Sequence, residues 1–172
     1  MTETPDQAMT DIEDELLGEG LDPNAAWHLA RAAESYQDDD AAERHLRRAA
    51  ALAPGHPATL IGIYRFYFYK CRLREALEVG KACLACAADR LGMPRNWHHV
   101  RSENADFGDY GQKWPRFYLF TLKACAYLQL RIGEIDEGQA AIAKLLELEP
   151  TDKVGAMVLQ RVLERRGHED ED

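Results

Sequence analysis

Residues 57–87, PATLIGIYRFYFYKCRLREALEVGKACLACA, constrain the fold most, because they carry two successive apolar stripes at helical spacing. The first stripe is Leu60, Ile63, Tyr64 and Tyr67, and Pro57 suits its first turn, where a missing N–H costs nothing. The second is Leu73, Ala76, Leu77, Gly80, Cys83 and Leu84, again on one face. Ala76 and Gly80 stand one turn apart, so a neighbouring helix backbone can approach closely there. The pair reads as two antiparallel helices, and neither buries its stripe alone. The unit therefore asks for neighbours on both sides.

Those neighbours repeat the pattern. Ala42 precedes Ala76 by 34 residues, and AAERHLRRAAALAP places Ala42, Leu46, Ala49 and Pro54 as REALEVGKACLACAA places Ala76, Gly80, Cys83 and Ala88. Pro54 recurs 96 residues later as Pro150, closing EGQAAIAKLLELEP with Gly138, Ile142 and Leu145. A helix–turn–helix unit with small residues at fixed places and this period resembles the tetratricopeptide repeat (TPR) family over residues 23–166, with one interruption. The resemblance implies an all-α, right-handed superhelical stack of about three helix pairs, with a C-terminal capping helix and an N-terminal acidic helix. It speaks for architecture rather than function, since packing residues define the family.

The departures are specific. Repeat one, from Pro23 to about His56, has Ala26 at the usual Trp position and Trp27 one residue on. Repeat two, 57–90, keeps Tyr67 and Ala76 but lacks the closing Pro. Repeat three begins near Trp114, keeps Gly133, and has Gly138 in place of the key Ala. The expected pairs are 23–36 with 41–53, 57–70 with 73–88, and 115–131 with 135–148. A last helix, from Lys153 to about Arg165, offers Ala156, Leu159, Val162 and Leu163 as a cap.

At 172 residues the chain can bury about 70% of its unfolded surface, enough for one domain of seven or eight helices. No run reaches the roughly 18 apolar residues of a membrane span. The start, MTETPDQAMTDIEDELL, has no basic region or long apolar core, so it does not read as a secretory signal. A cytoplasmic setting and reduced thiols are expected.

Net charge is −9, unevenly placed. Residues 1–22 form an acidic segment with eight acids and no Lys or Arg, and the tail, 167–172, ends in four acids. The body carries a small positive excess. That balance argues against nucleic acid as a partner.

Local signals order the chain. A short helix is expected over residues 7–18, with Ile12, Leu16 and Leu17 on one side. Asp22–Pro23 reads as an N-cap followed by a first-turn Pro. Asp40 with Glu43 resembles a capping box. Pro54–Gly55 breaks the second helix. Residues 89–113 interrupt the period, with Trp97, His98, His99, Phe107 and Tyr110 among Gly and Asn. Loops this long are functional or disordered, and the aromatics argue against a solvated linker. They either pin the insert onto the helices or build a side wall over a groove.

In TPR-like stacks the first helix of each pair lines the concave side. With packing residues removed, that side shows Asn24, Trp27, Arg31, Glu34 and Ser35, then Ile61, Arg65, Phe68 and Tyr69, then Phe120, Lys123, Tyr127 and Arg131. The candidate groove is Trp27, Arg31, Arg65, Tyr69, Lys123, Tyr127 and Arg131. Its cations and aromatics suit a protein segment with acidic and apolar side chains, and the acidic N-terminus has the composition to occupy it.

Cys83 and Cys86 share a helix face, and with the His98–His99 loop they form the one alternative: a metal- or cluster-handling maturation factor. Cys83 and Cys125 equally fill small packing positions as structural thiols. No nucleotide loop, nucleophile elbow or zinc-protease helix is present, so no catalytic residue, cofactor or metal is assigned. The expected class is a non-enzymatic interaction module: an adaptor, co-chaperone or assembly factor. RFYFYK (65–70), RFYLF (116–120) and the MPRNW between them resemble small TPR proteins accompanying bacterial nitrogen-fixation genes, which implies a nitrogenase-associated partner.

Overall fold

The computed structural model describes residues 19–169, and among them every regular element is helical. The order is α1 (Pro23–Glu34), α2 (Asp39–Leu52), α3 (Pro57–Tyr69), α4 (Leu73–Leu91), two 3₁₀ turns at Trp97–His99 and Ser102–Asn104, α5 (Lys113–Arg131), α6 (Ile135–Leu148) and α7 (Ala156–Glu169). The helix expected over 7–18 and the end of the acidic tail lie outside the described residues. The chain packs as two compact units that meet in sequence within α4, at Cys86 and Ala87.

In the first unit α1 and α2 form an antiparallel pair. Asp22 accepts from Asn24 N at 2.8 Å and Ala25 N at 3.1 Å, and Pro23 opens the helix, as its fixed φ favours. The second helix starts earlier than expected. Asp38 is its N-cap, accepting from Ala41 N at 3.0 Å, so Asp40 lies inside the first turn. Glu43 closes no capping box; it pairs with Arg72 at 2.5 Å. Small residues let the helices meet: Ala25, Ala49 and Ala53 pack with Leu21 and Leu29, and Ala32, Ala42, Leu46 and Phe66 pack with Leu29, Tyr36, Ile63 and Tyr67. Gly62 of α3 lies against Leu29, where an added Cβ would stand 3.0 Å from Cδ2.

Two turns recur across the chain. Past α3, Arg72 N reaches Tyr67 O at 2.9 Å with Cys71 left-handed (φ 57°), and past α5, Glu134 N reaches Gln129 O at 2.8 Å with Gly133 left-handed (φ 88°). His56 N bonds Ala53 O across Pro54, and Asp152 N bonds Glu149 O across Pro150. Helices α1 and α3 also open on prolines 34 residues apart. The repeated pattern in the sequence is thus repeated in backbone geometry.

In the second unit α5 and α6 form the central pair, around Phe117, Leu119, Leu122, Ala126, Ala141, Ile142 and Leu145. Gly138 permits the closest approach: a Cβ there would stand 2.4 Å from Leu130 Cδ2 and 3.3 Å from Ala126 O. The insert is pinned, not free. Val100 and Phe107 are fully buried, Arg101 reaches Glu147 at 3.2 Å, and Lys153 donates to Gly108 O at 2.7 Å. The last helix begins at Ala156, three residues later than expected. Asp152 (φ 55°) and Gly155 (φ 76°) hold a left-handed turn, and the Asp152 carboxylate accepts from Ala156 N and Met157 N. Ala156 is buried and Leu159 and Leu163 are half-buried, but Val162 of the expected apolar face is exposed.

Candidate functional site

The first unit carries the clearest surface feature. Along α1 the spacing of Asn24, Trp27, His28 and Arg31 turns these residues to one side, and Trp27 is 54% exposed. The Arg31 guanidinium lies 5.6 Å from the Trp27 ring centre and reaches Glu34 at 2.5 Å. His28 and His45 bring their Nδ1 atoms within 2.9 Å, one ring donating to the other, and Trp27 meets both edge-on. A cavity of about 530 Å³ opens here, lined by Asn24, Trp27, His28, Arg48, Ala51 and Leu52. The sequence does hold the α2 half of this seam, as His45, Arg48 and Leu52 at helical spacing. A groove reading confined to first helices passes over it.

On α3, Arg65 is half-buried, and Tyr69 is 47% exposed with its ring edge-on to Phe68. Ile61 and Phe120, also expected to face the groove, are buried in their units. On α5 the Arg131 guanidinium donates to Tyr127 Oη at 2.5 Å and lies 5.6 Å from its ring centre. Lys123 behaves differently from its neighbours on that face. Its Nζ donates to Val154 O at 2.6 Å, and burial holds its pKa below the usual lysine range, with Asp152 acting in the opposite sense. Lys123 therefore secures the turn before α7 instead of presenting a charge outward.

Two of the four thiols sit as packing residues, and Cys71 is exposed. Cys83 and Cys125 are buried, and the Cys86 thiol donates to Gly55 O at 3.7 Å. His98 stacks on Trp97 at 3.6 Å and reaches Glu137 at 3.1 Å. Among the described residues no three His, Cys, Asp or Glu side chains converge as metal ligands would. Nor is any described helix long and apolar enough to cross a membrane.

What the arrangement offers chemically is recognition. Arg31 with Trp27 and Arg131 with Tyr127 each set a guanidinium beside an aromatic face, and such a fork donates to a carboxylate while the ring packs against an apolar side chain.

A protein of Azotobacter chroococcum mcd 1, named "Uncharacterized 19.8 kDa protein in nifW 5'region", is 38% identical to the chain over 133 residues, 77% of this chain and 74% of the relative. No family model matches the chain. No solved structure matches it significantly.

Proposed function

The chain belongs to the family of the Azotobacter nifW 5′-region protein, and from that premise we propose that it is a non-enzymatic protein-binding module serving nitrogen fixation in the cytoplasm. Its helix pairs follow the TPR pattern, and it acts as an adaptor or assembly factor for a protein of that process. One observation carries the reading. Three helices hold an arginine and an aromatic one turn apart: Trp27 and Arg31 on α1, Arg65 and Tyr69 on α3, Tyr127 and Arg131 on α5. Three helices of different sequence share this couple, although core packing requires no arginine. A partner segment with acidic and apolar side chains is the ligand that such couples fit.

Affinity capture from cells fixing nitrogen, compared with cells supplied with ammonium, tests it. The wild-type chain should retain a nitrogen-fixation protein that Arg31→Glu/Arg131→Glu loses. A protein kept equally by that variant and lost on Lys81→Glu, an exposed α4 position, would overturn the assignment.

A further inference from the structure

The cavity between α1 and α2 has walls that the helix pair itself holds in place. His28 and His45 meet the Trp27 ring edge-on, at 4.8 and 5.7 Å between centres, and they are bonded to each other. Leu52, the last residue of α2, lines the same space, and both it and Trp27 are exposed (43% and 54%). At about 530 Å³ the cavity falls within the roughly 300–1,000 Å³ of sites that take an organic ligand. Walls fixed in advance lose little freedom when a group enters.

Charge selects the ligand. Among the described residues no Asp or Glu lines the cavity, and Arg48, which does, makes no ion pair. Arg44, one turn before it on α2, is likewise exposed and without an ion pair among them. Arg31 differs, because Glu34 already neutralises it at 2.5 Å. The unspent positive charge at the cavity therefore belongs to Arg48, with the Asn24 amide as a second donor. A carboxylate suits the guanidinium fork, and an apolar group beside it suits the Trp27 and Leu52 walls.

We propose that this cavity anchors the partner segment: an apolar side chain enters between Trp27 and Leu52, and an acidic side chain next to it in sequence pairs with Arg48 and Asn24. The anchor rests on the protein-binding reading and gives the partner segment a signature, one apolar and one acidic residue in succession. It also gives a role to α2, which the one-turn couples leave unused.

Nuclear magnetic resonance titration of the full chain with two capped dipeptides, acetyl-Phe-Glu-amide and acetyl-Phe-Gln-amide, tests this without the partner itself. The acidic peptide should shift the Trp27 indole N–H and the Asn24 side-chain amide saturably, and bind at least about fivefold tighter than the neutral one. Arg48→Met should bring the two to within about twofold of each other, whereas Arg31→Met should keep the preference. Leu52→Asp should weaken both peptides, and salt at about 0.5 M should shrink the preference in the wild type. Amide signals of the buried Ala42 and Leu46 report whether each variant is folded; should Leu52→Asp disturb them, Arg48→Met alone decides. The proposal is overturned if the acidic peptide leaves Trp27 and Asn24 unmoved, or if its preference survives Arg48→Met. A preference lost on Arg31→Met instead would return the carboxylate to the α1 couple, overturning the anchor and leaving the protein-binding reading intact. Phenylacetate binding more than about tenfold tighter than the acidic peptide would also overturn it, since the ligand would then be a free carboxylate. Failure to capture a nitrogen-fixation protein, with the peptides behaving as stated, would count against the proposed function and not against the anchor.

Discussion

Lys144, almost wholly buried on α6, donates from Nζ to the carbonyl of Val100 at 2.9 Å. One lysine thereby ties the centre of the interrupting segment to the helix pair of the second unit. Glu147, one turn on, pairs with the same ammonium at 2.9 Å and with Arg101 at 3.2 Å. Lys144→Met keeps the volume but leaves the Val100 carbonyl without its donor, a loss of about 1–3 kcal/mol. An unfolding free energy lowered by that amount, seen as a lower denaturation midpoint, with faster exchange of residues 97–104, is the expected result. An unchanged midpoint would mean that Val100 and Phe107 anchor the segment alone.

The same cluster sets an acid limit. The hydrogen bond from Lys144, then the one from Arg101, holds the Glu147 carboxyl below its ordinary 4.5. A depressed folded value means that the unfolded chain binds the proton more readily, so the contribution is complete above about pH 4.5 and lost as pH falls through the folded value. Thermal melts from pH 6 to 3 should fall less steeply for Glu147→Gln than for the wild type. Parallel curves would remove Glu147 from the account.

Gly138 faces a close approach at a place where the earlier repeats carry alanine. Ala42 and Ala76 are fully buried at the corresponding places, whereas a methyl at Gly138 would collide with the Leu130 side chain and press on Ala126 O. Alanine for glycine within a helix gains about 0.5–1 kcal/mol, and overpacking costs about 1–3 kcal/mol. Gly138→Ala should therefore destabilise slightly, and Leu130→Ala in the same chain should remove the penalty. A simple gain from Gly138→Ala would show that Leu130 yields freely.

Ala76→Leu adds three carbons at a fully buried site and should cost about 1–3 kcal/mol by chemical denaturation. An unaltered melt would place Ala76 away from any helix interface.

These positions show how far the fold is legible in the sequence. The helices can be read because their cues are local: Pro23 and Pro57 open helices, Ala42 and Ala76 mark buried positions, and the Gly133 turn follows from glycine chemistry. The start of α7 is obscured because Asp152 adopts a left-handed conformation that its residue type does not announce. The α2 cap shifts to Asp38 because three consecutive aspartates offer the same oxygen, and only backbone geometry selects one. The site is less legible than the fold. Lys123 has the charge and face of a groove residue, yet its ammonium is spent on Val154 O, a contact from 31 positions away. The His28–His45 pair is hidden for the same reason, since helical spacing says nothing of what lies across a seam.

The arginine–aromatic couples are the centre of the account, and one binding measurement addresses them. With the captured partner in hand, titration against the wild type and Arg65→Glu at 50 mM and 500 mM salt compares the dissociation constants. Arg65→Glu should weaken binding by about tenfold or more, about 1.4 kcal/mol, at low salt, and by less at high salt. Equal affinity of the two proteins at low salt, together with loss of binding on Lys81→Glu, would contradict it.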